Sequence, residues 1–295
     1  MSTVAVITDS TSSLPEELYE LYAIGKVPYY VHVGEDALRD TVDIQADGLA
    51  TYMLGLDKTD PLPTTANPGP GDYAEAFRAA AEHAQDIISF HMTSIGSGAY
   101  HAAKLGREMA LETLDRVRIH VVDTRNVSMC HGWISLEAAR AAQAGDSVEK
   151  ILALAKRIVP VTRMLQTADT LRYLYMGGRI GRAQHLVGSL LNIRPIISMD
   201  DGVITTKGVT RSRQASFAQI VNLLERAVGA GGRVRVALTH AAAREDAETL
   251  LDMVRQAVTA TEELICELSP ALTVHSGPGT VGLCYVPESA IQSED

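Results

Sequence analysis

A chain of 295 residues, 46% hydrophobic and 21% charged, has the makeup of a globular protein and excludes a disordered or fibrous one. Its 26 Lys and Arg stand against 36 Asp and Glu, a net charge of −10, which speaks against a nucleic-acid groove; no basic stripe or RNA-binding aromatic motif argues otherwise. No apolar run approaches the roughly 18 residues of a membrane span, so no integral membrane segment is expected. The start, Met1 to Asp9, lacks a basic region and breaks its apolar run at Asp9, which does not read as a signal peptide. Cys130, Cys266 and Cys284 lie far apart, without zinc or disulfide spacing, and are expected to be buried thiols of a cytoplasmic protein.

In chain order, residues 3–8 form a β-branched run, Asp9–Ser13 a polar loop and Pro15–Tyr22 a helix, with Ser13 and Glu16 spaced as a capping box. Residues 60–72 hold four prolines and two glycines and read as an ordered loop or linker. The helix that follows carries Tyr73, Phe77, Ala80, Ala81 and Ala84 on one face. A strand at 87–92, a loop Thr93–Gly98, a helix to about 112 and a strand at 118–123 repeat the strand-then-helix order of a parallel sheet. From about 160 the pattern changes. Runs at 193–199 and 203–209 flank Asp200-Asp201-Gly202 as a hairpin would, and helical faces 217/220/221/224/228 and 247/250/251/254/258 enclose a strand at 234–239. A last strand covers 281–286. The expectation is α/β with two domains: 1–159 a parallel-sheet three-layer α/β/α unit, and 160–295 a mixed-sheet α/β unit.

Three segments could carry chemistry. Thr93–Gly98 is a hydroxyl- and glycine-rich loop between a strand and a helix, a place where unpaired amides favour an anion; the competing reading is a tight strand-to-helix turn with N-caps. It lacks the third glycine of a dinucleotide fingerprint and the Gly-Lys-Ser/Thr of a Walker loop. Thr64-Thr65-Ala66-Asn67-Pro68 offers hydroxyls before a rigid turn or is a plain surface loop. Gly177-Gly178-Arg179-Ile180-Gly181-Arg182 allows a close backbone approach, and the apolar stretch 186–197 lines a tunnel or is a buried helix running into a strand. His275 sits in a glycine-rich turn within reach of a bound head group. Asp9 orders its neighbouring loops or serves as a catalytic carboxylate, in which case Asp9 and Asp123 would serve a self-sufficient phosphate- or metal-dependent enzyme. No HExxH, Cys/His cluster or Gly-x-Ser-x-Gly elbow is present.

Taken together these pieces resemble the DegV family, the bacterial fatty-acid-binding proteins. The resemblance runs through 7–12, Ser97-Gly-Ala-Tyr100, Val122-Asp123 with Val127-Ser128, Gly177–Ile180, 188–195, Thr210-Arg211 and His275–Gly279. It implies a long-chain fatty acid held between the two domains, its tail in an apolar tunnel and its carboxylate held by Thr65 and Ser97. Ala66, Ser94 and Gly98 complete the head-group loops, and His275 lies near. It also implies no cofactor, no metal and no catalytic residue. The protein then acts as a lipid-binding subunit that presents the acid to a separate ATP-dependent kinase, docked through Arg211, for acyl-phosphate formation; a regulatory lipid sensor uses the same pocket. Where the family usually has Ser and then Gln or Arg after the threonine, this chain has Ala66 and Asn67, and Ile95-Gly96 replaces the common Gly-Leu order.

Overall fold

The computed structural model describes residues 4–57, 59–189 and 193–292. Its elements begin with β1 (Val4–Asp9), α1 (Glu16–Leu21), β2 (Gly25–Val27), β3 (Tyr30–Val33), β4 (Asp36–Arg39), α2 (Ala46–Leu54) and β5 (Thr64–Ala66). They continue with α3 (Pro70–Ala81), β6 (Asp86–His91), α4 (Ala99–Leu111), β7 (Arg118–Asp123), α5 (Met129–Gln143), α6 (Val148–Ile158), β8 (Arg163–Thr167) and α7 (Arg172–Met176). The remainder is β9 (Arg194–Asp200), β10 (Val203–Thr210), α8 (Arg213–Val228), β11 (Arg233–His240), α9 (Arg244–Ala257), β12 (Thr259–Glu267), α10 (Pro270–Ser276), β13 (Val281–Pro287) and α11 (Glu288–Ile291). Part of the apolar stretch 186–197, residues 190–192, lies outside the described residues.

The expected parallel sheet is present, in the order β2-β1-β6-β7. Side chains alternate across it, as the period of two requires. Ile7, Ile87 and Ile119 pack with Tyr73 and Phe77 of α3 and Ala99 and Ala103 of α4, while Val6, Ile88 and Phe90 pack with Met129, Trp133 and Ile134 of α5. Helices therefore cover both faces. A six-stranded mixed sheet, β10-β9-β8-β13-β11-β12, turns one face to α8 and α9 and the other to α5. Helix α5 is thus sandwiched between two sheets. That explains why all of Met129–Ala139 is buried, since a helix packed on both sides has no wet stripe. The one carboxylate in this stretch, Glu137, is paired with Arg140 and Arg235, and Arg140 also grips Glu262 at 2.6 and 2.7 Å.

Two local expectations are corrected. Ser13 does not cap α1: it ends a 3-10 turn at φ 54, its hydroxyl accepts the Ser269 N–H, and Pro15 occupies the helix N-cap while Glu16 pairs with Lys26. The left-handed backbone at Ser13 aims its side chain at α10 instead of along α1. In the proline-rich segment, Thr64–Ala66 is a strand, pairing with β3 in a small antiparallel sheet of order β4-β3-β5. It is an edge strand three residues long, so the flanking Pro63 and Pro68 remove no ladder hydrogen bond.

The hairpin is as expected. β9 and β10 close through Asp201 and Gly202, both at positive φ (49 and 82), as the turns that match strand twist require. Its tip docks on the parallel-sheet side: Thr93 Oγ1 donates to the Gly202 carbonyl at 2.9 Å, and a Cβ at Gly202 would overlap that hydroxyl. All three cysteines are buried and free.

Candidate functional site

The strands β1 and β6 end in polar loops, and above those ends lies a cavity of about 440 Å³, within the size range of small-molecule pockets. Three sheets contribute to it. Thr11, Met92, Thr93 and Ile95–Gly98 come from the parallel-sheet loops, Tyr29 and Thr65–Asn67 from the small antiparallel sheet and its flanks, and Met164, Gln166, Ile197, Met199, Val203 and Ile204 from the mixed sheet. Leu268, Ala271, Leu272 and His275 close it from the α10 side, and Leu174, Gly178, Arg179 and Gly181 from α7 and the segment after it. The wall is mainly hydrocarbon, with polar groups gathered toward the loops.

Two hydroxyls at this polar end are each backed by a ring. Thr65 alternates with the exposed Thr64 and Ala66 on β5, and its Oγ1 lies 2.7 Å from His275 Nε2 in the last turn of α10. Ser97 Oγ lies 2.7 Å from the Tyr29 hydroxyl and accepts the Ala99 N–H at the start of α4. Burial, with the Arg179 guanidinium second, pushes the His275 imidazole down to about 4, so it is neutral near pH 7. Burial, reinforced by the charge of Asp9, holds the Tyr29 phenol well above its usual value, so it keeps its proton. In the Nε2–H tautomer His275 donates to Thr65, and Tyr29 O–H donates to Ser97; each backed hydroxyl then keeps its own proton for a ligand. Ala66 and Gly98 are exposed, so this end of the cavity opens to the surface.

His275 needs room. A Cβ at Gly177 would overlap His275 Nδ1, so the close backbone approach anticipated for Gly177-Gly178 is the approach of an imidazole. Gly98 is likewise pressed against Asn67, whose Oδ1 would lie 2.9 Å from a Cβ there.

Of the residues singled out from sequence, Thr65, Ala66, Ser97, Gly98 and His275 line one cavity. Ser94 is not among the lining residues; its hydroxyl donates to Asp123 at 2.5 Å and holds the loop onto β7. Arg211 is exposed between β10 and α8, also off the lining. Asp9 is buried beneath Thr11, whose N–H and hydroxyl both donate to it. Burial pushes its carboxyl up, but His131, His91 and Thr11 more than offset this and leave it below the usual range. Neither Asp9 nor Asp123 lines the cavity: Asp9 orders its loop, and Asp123 accepts from Ser94 and Arg125. Sequence reasoning missed Tyr29 and Gln166, since neither stands in a glycine- or hydroxyl-rich motif.

A model of the DegV family, described as uncharacterised protein, matches residues 3–288. The chain belongs to the DegV family. A DegV domain-containing protein of Streptomyces coelicolor is 34% identical over 282 residues, covering 95% of this chain and 97% of the relative. Among solved structures, a Thermus thermophilus DegV family protein described by its fatty-acid binding superposes with a TM-score of 0.89 at 28% identity, covering 97% of this chain and 99% of that one. A stearic-acid-binding protein from Eubacterium ventriosum superposes at 0.87 and 25% identity, covering 98% and 99%. The α/β architecture, with its parallel and mixed sheets, is thus the DegV fold. Among the described residues no helix is long and apolar enough to cross a membrane.

Proposed function

We propose that this chain is a cytoplasmic carrier of a long-chain fatty acid. Its carboxylate is held by Thr65 and Ser97, with His275, Ala66 and Gly98 around them, and its tail lies in the apolar slot between residues 1–159 and 160–295. The observation that carries the reading is the pair of ring-backed hydroxyls at one end of a cavity whose remaining wall is largely Met, Ile, Leu and Val. The fatty-acid binding of the Thermus and Eubacterium proteins supports it. A buried methylene contributes about 0.8 kcal/mol, so fourteen of them supply roughly 11 kcal/mol before the entropy of ordering the tail is subtracted. Affinity comes from the tail. A desolvated carboxylate left unpaired costs several kcal/mol, which two hydroxyl donors and the amides at the start of α4 largely offset, so the head-group loops set register and specificity.

Because the head-group end opens at the surface, the carboxylate is presented outward. We infer from this that a separate ATP-dependent kinase acts on the bound acid, with Arg211 contributing to docking. The chain is then a binding subunit without catalytic residues of its own. The test of the carrier reading is Ser97→Ala combined with Thr65→Val. The double variant is expected to fold normally and to lose co-purified long-chain acid, read by native mass spectrometry; full retention of the acid would refute the head-group assignment.

A further inference from the structure

On the mixed-sheet part of the wall, where Met164, Ile197, Met199, Val203 and Ile204 are apolar, Gln166 is polar. The sheet row Ile197, Gln166, Gly282, Thr239, Cys266 runs in register across β9, β8, β13, β11 and β12. Residues paired across a sheet share a face, and this face is the one that carries Met164, Ala237 and Cys284 toward α5. The row under α5, formed by Met164, Cys284, Ala237 and Leu264, has no oxygen or amide side chain. The next row has Gln166, which is buried yet lines the cavity. Among the described residues its amide has no hydrogen-bond partner.

A second unmet group lies beside it. Thr239 is fully buried and its Oγ1 has no partner. Gly282, between the two, is closely packed, since a Cβ there would lie 2.8 Å from Thr239 Oγ1 and 3.5 Å from Gln166 Cβ; of the three residues Gln166 alone lines the cavity. A saturated tail passing Gln166 leaves its amide unsatisfied, which is costly in a dry slot, whereas an oxygen on the tail removes that cost.

We propose that Gln166 is a polar subsite for a hydroxyl on the acyl tail, so that the preferred ligand is a hydroxylated long-chain fatty acid. This rests on the fatty-acid reading above and deepens it. The amide donates to and accepts from the hydroxyl, while the head group stays at Thr65 and Ser97.

The test measures the affinity of lipid-stripped protein for stearic acid and for a series of eighteen-carbon acids bearing one hydroxyl at successive positions. Wild type, Gln166→Leu and the nearly isosteric Gln166→Met are compared, with circular dichroism to confirm folding. In the wild type one position, or two adjacent ones, is expected to bind about fivefold more tightly than stearic acid. Both variants are expected to lose that preference while still binding stearic acid. The subsite is overturned if no hydroxylated acid exceeds stearic acid in the wild type, as when Gln166 holds only a water, or if the preference survives in the variants. Failure of the wild type to bind any of the acids, stearic acid included, is a different result and defeats the fatty-acid reading itself.

Discussion

Thr65 and Ser97 depend on neighbours from distant parts of the chain, His275 and Tyr29, for the direction of their protons. That dependence makes the head-group end sensitive to acid. His275 is held at about 4 in the folded state against about 6.5 unfolded, so between these values the unfolded chain binds more protons and stability rises with pH. The His275 contribution is fully present above about pH 6.5 and is lost as pH falls toward 4, by no more than about 3 kcal/mol. Asp40 works in the opposite direction. Burial raises its carboxyl to about 6, so its contribution is present below about pH 4 and lost as pH rises through 6. The total curve mixes the two, and His275→Gln separates them: the difference in urea-unfolding free energy between wild type and variant is expected to shrink from pH 7 to pH 4. A difference independent of pH would contradict the neutral imidazole.

Helix α5 shows how a sequence pattern acquires meaning from what surrounds it. Glu137 sits in a buried stretch and is tolerated because Arg140 and Arg235 meet it, with Glu262 and Glu288 completing a network that ties α5 to β11, β12 and the start of α11. Burial raises the Glu137 carboxyl, and the two guanidiniums act against that. Removing one cation from such a network strands the remaining charges. Arg235→Ala is expected to lower the unfolding free energy by about 3 kcal/mol in urea titration. Arg255→Ala, which breaks the exposed pairs with Glu263 and Asp252, is expected to change little. Equal effects for the two would show that burial does not set the strength of these pairs.

The cavity belongs to no single element: three sheets and α10 each supply part of its wall. A ligand that fills it therefore ties them together and stabilises the folded state by mass action. Long-chain acid at about a hundred times its Kd is expected to add about 2.7 kcal/mol, read as a rise in Tm of lipid-stripped protein; a short-chain acid at the same concentration, with few methylenes to bury and hence a higher Kd, is expected to add far less. Arg211 lies outside that wall, so Arg211→Ala is expected to leave acid binding and the Tm rise unchanged. Reconstituted with a kinase partner, the same variant is expected to slow acyl-phosphate formation, and an unaffected rate would remove Arg211 from the docking surface.

Much of this was legible along the chain because it is local. Strand runs at 118–123 and 203–209, the Asp201-Gly202 turn and the apolar faces of α3, α8 and α9 are set by side-chain period and backbone preference, and they coincide with β7, β10 and the observed helices. The hydroxyl loops around Thr65 and Ser97 stood out by composition. What the sequence alone left undecided was every partnership across long separations: Ser13 with Ser269 instead of Glu16, Thr65 with His275, Ser97 with Tyr29, Ser94 turned to Asp123, and the edge-strand state of Thr64–Ala66. Local period specifies which face of an element is apolar, but only packing decides which distant element covers that face. The slot and its polar end arise from that second choice.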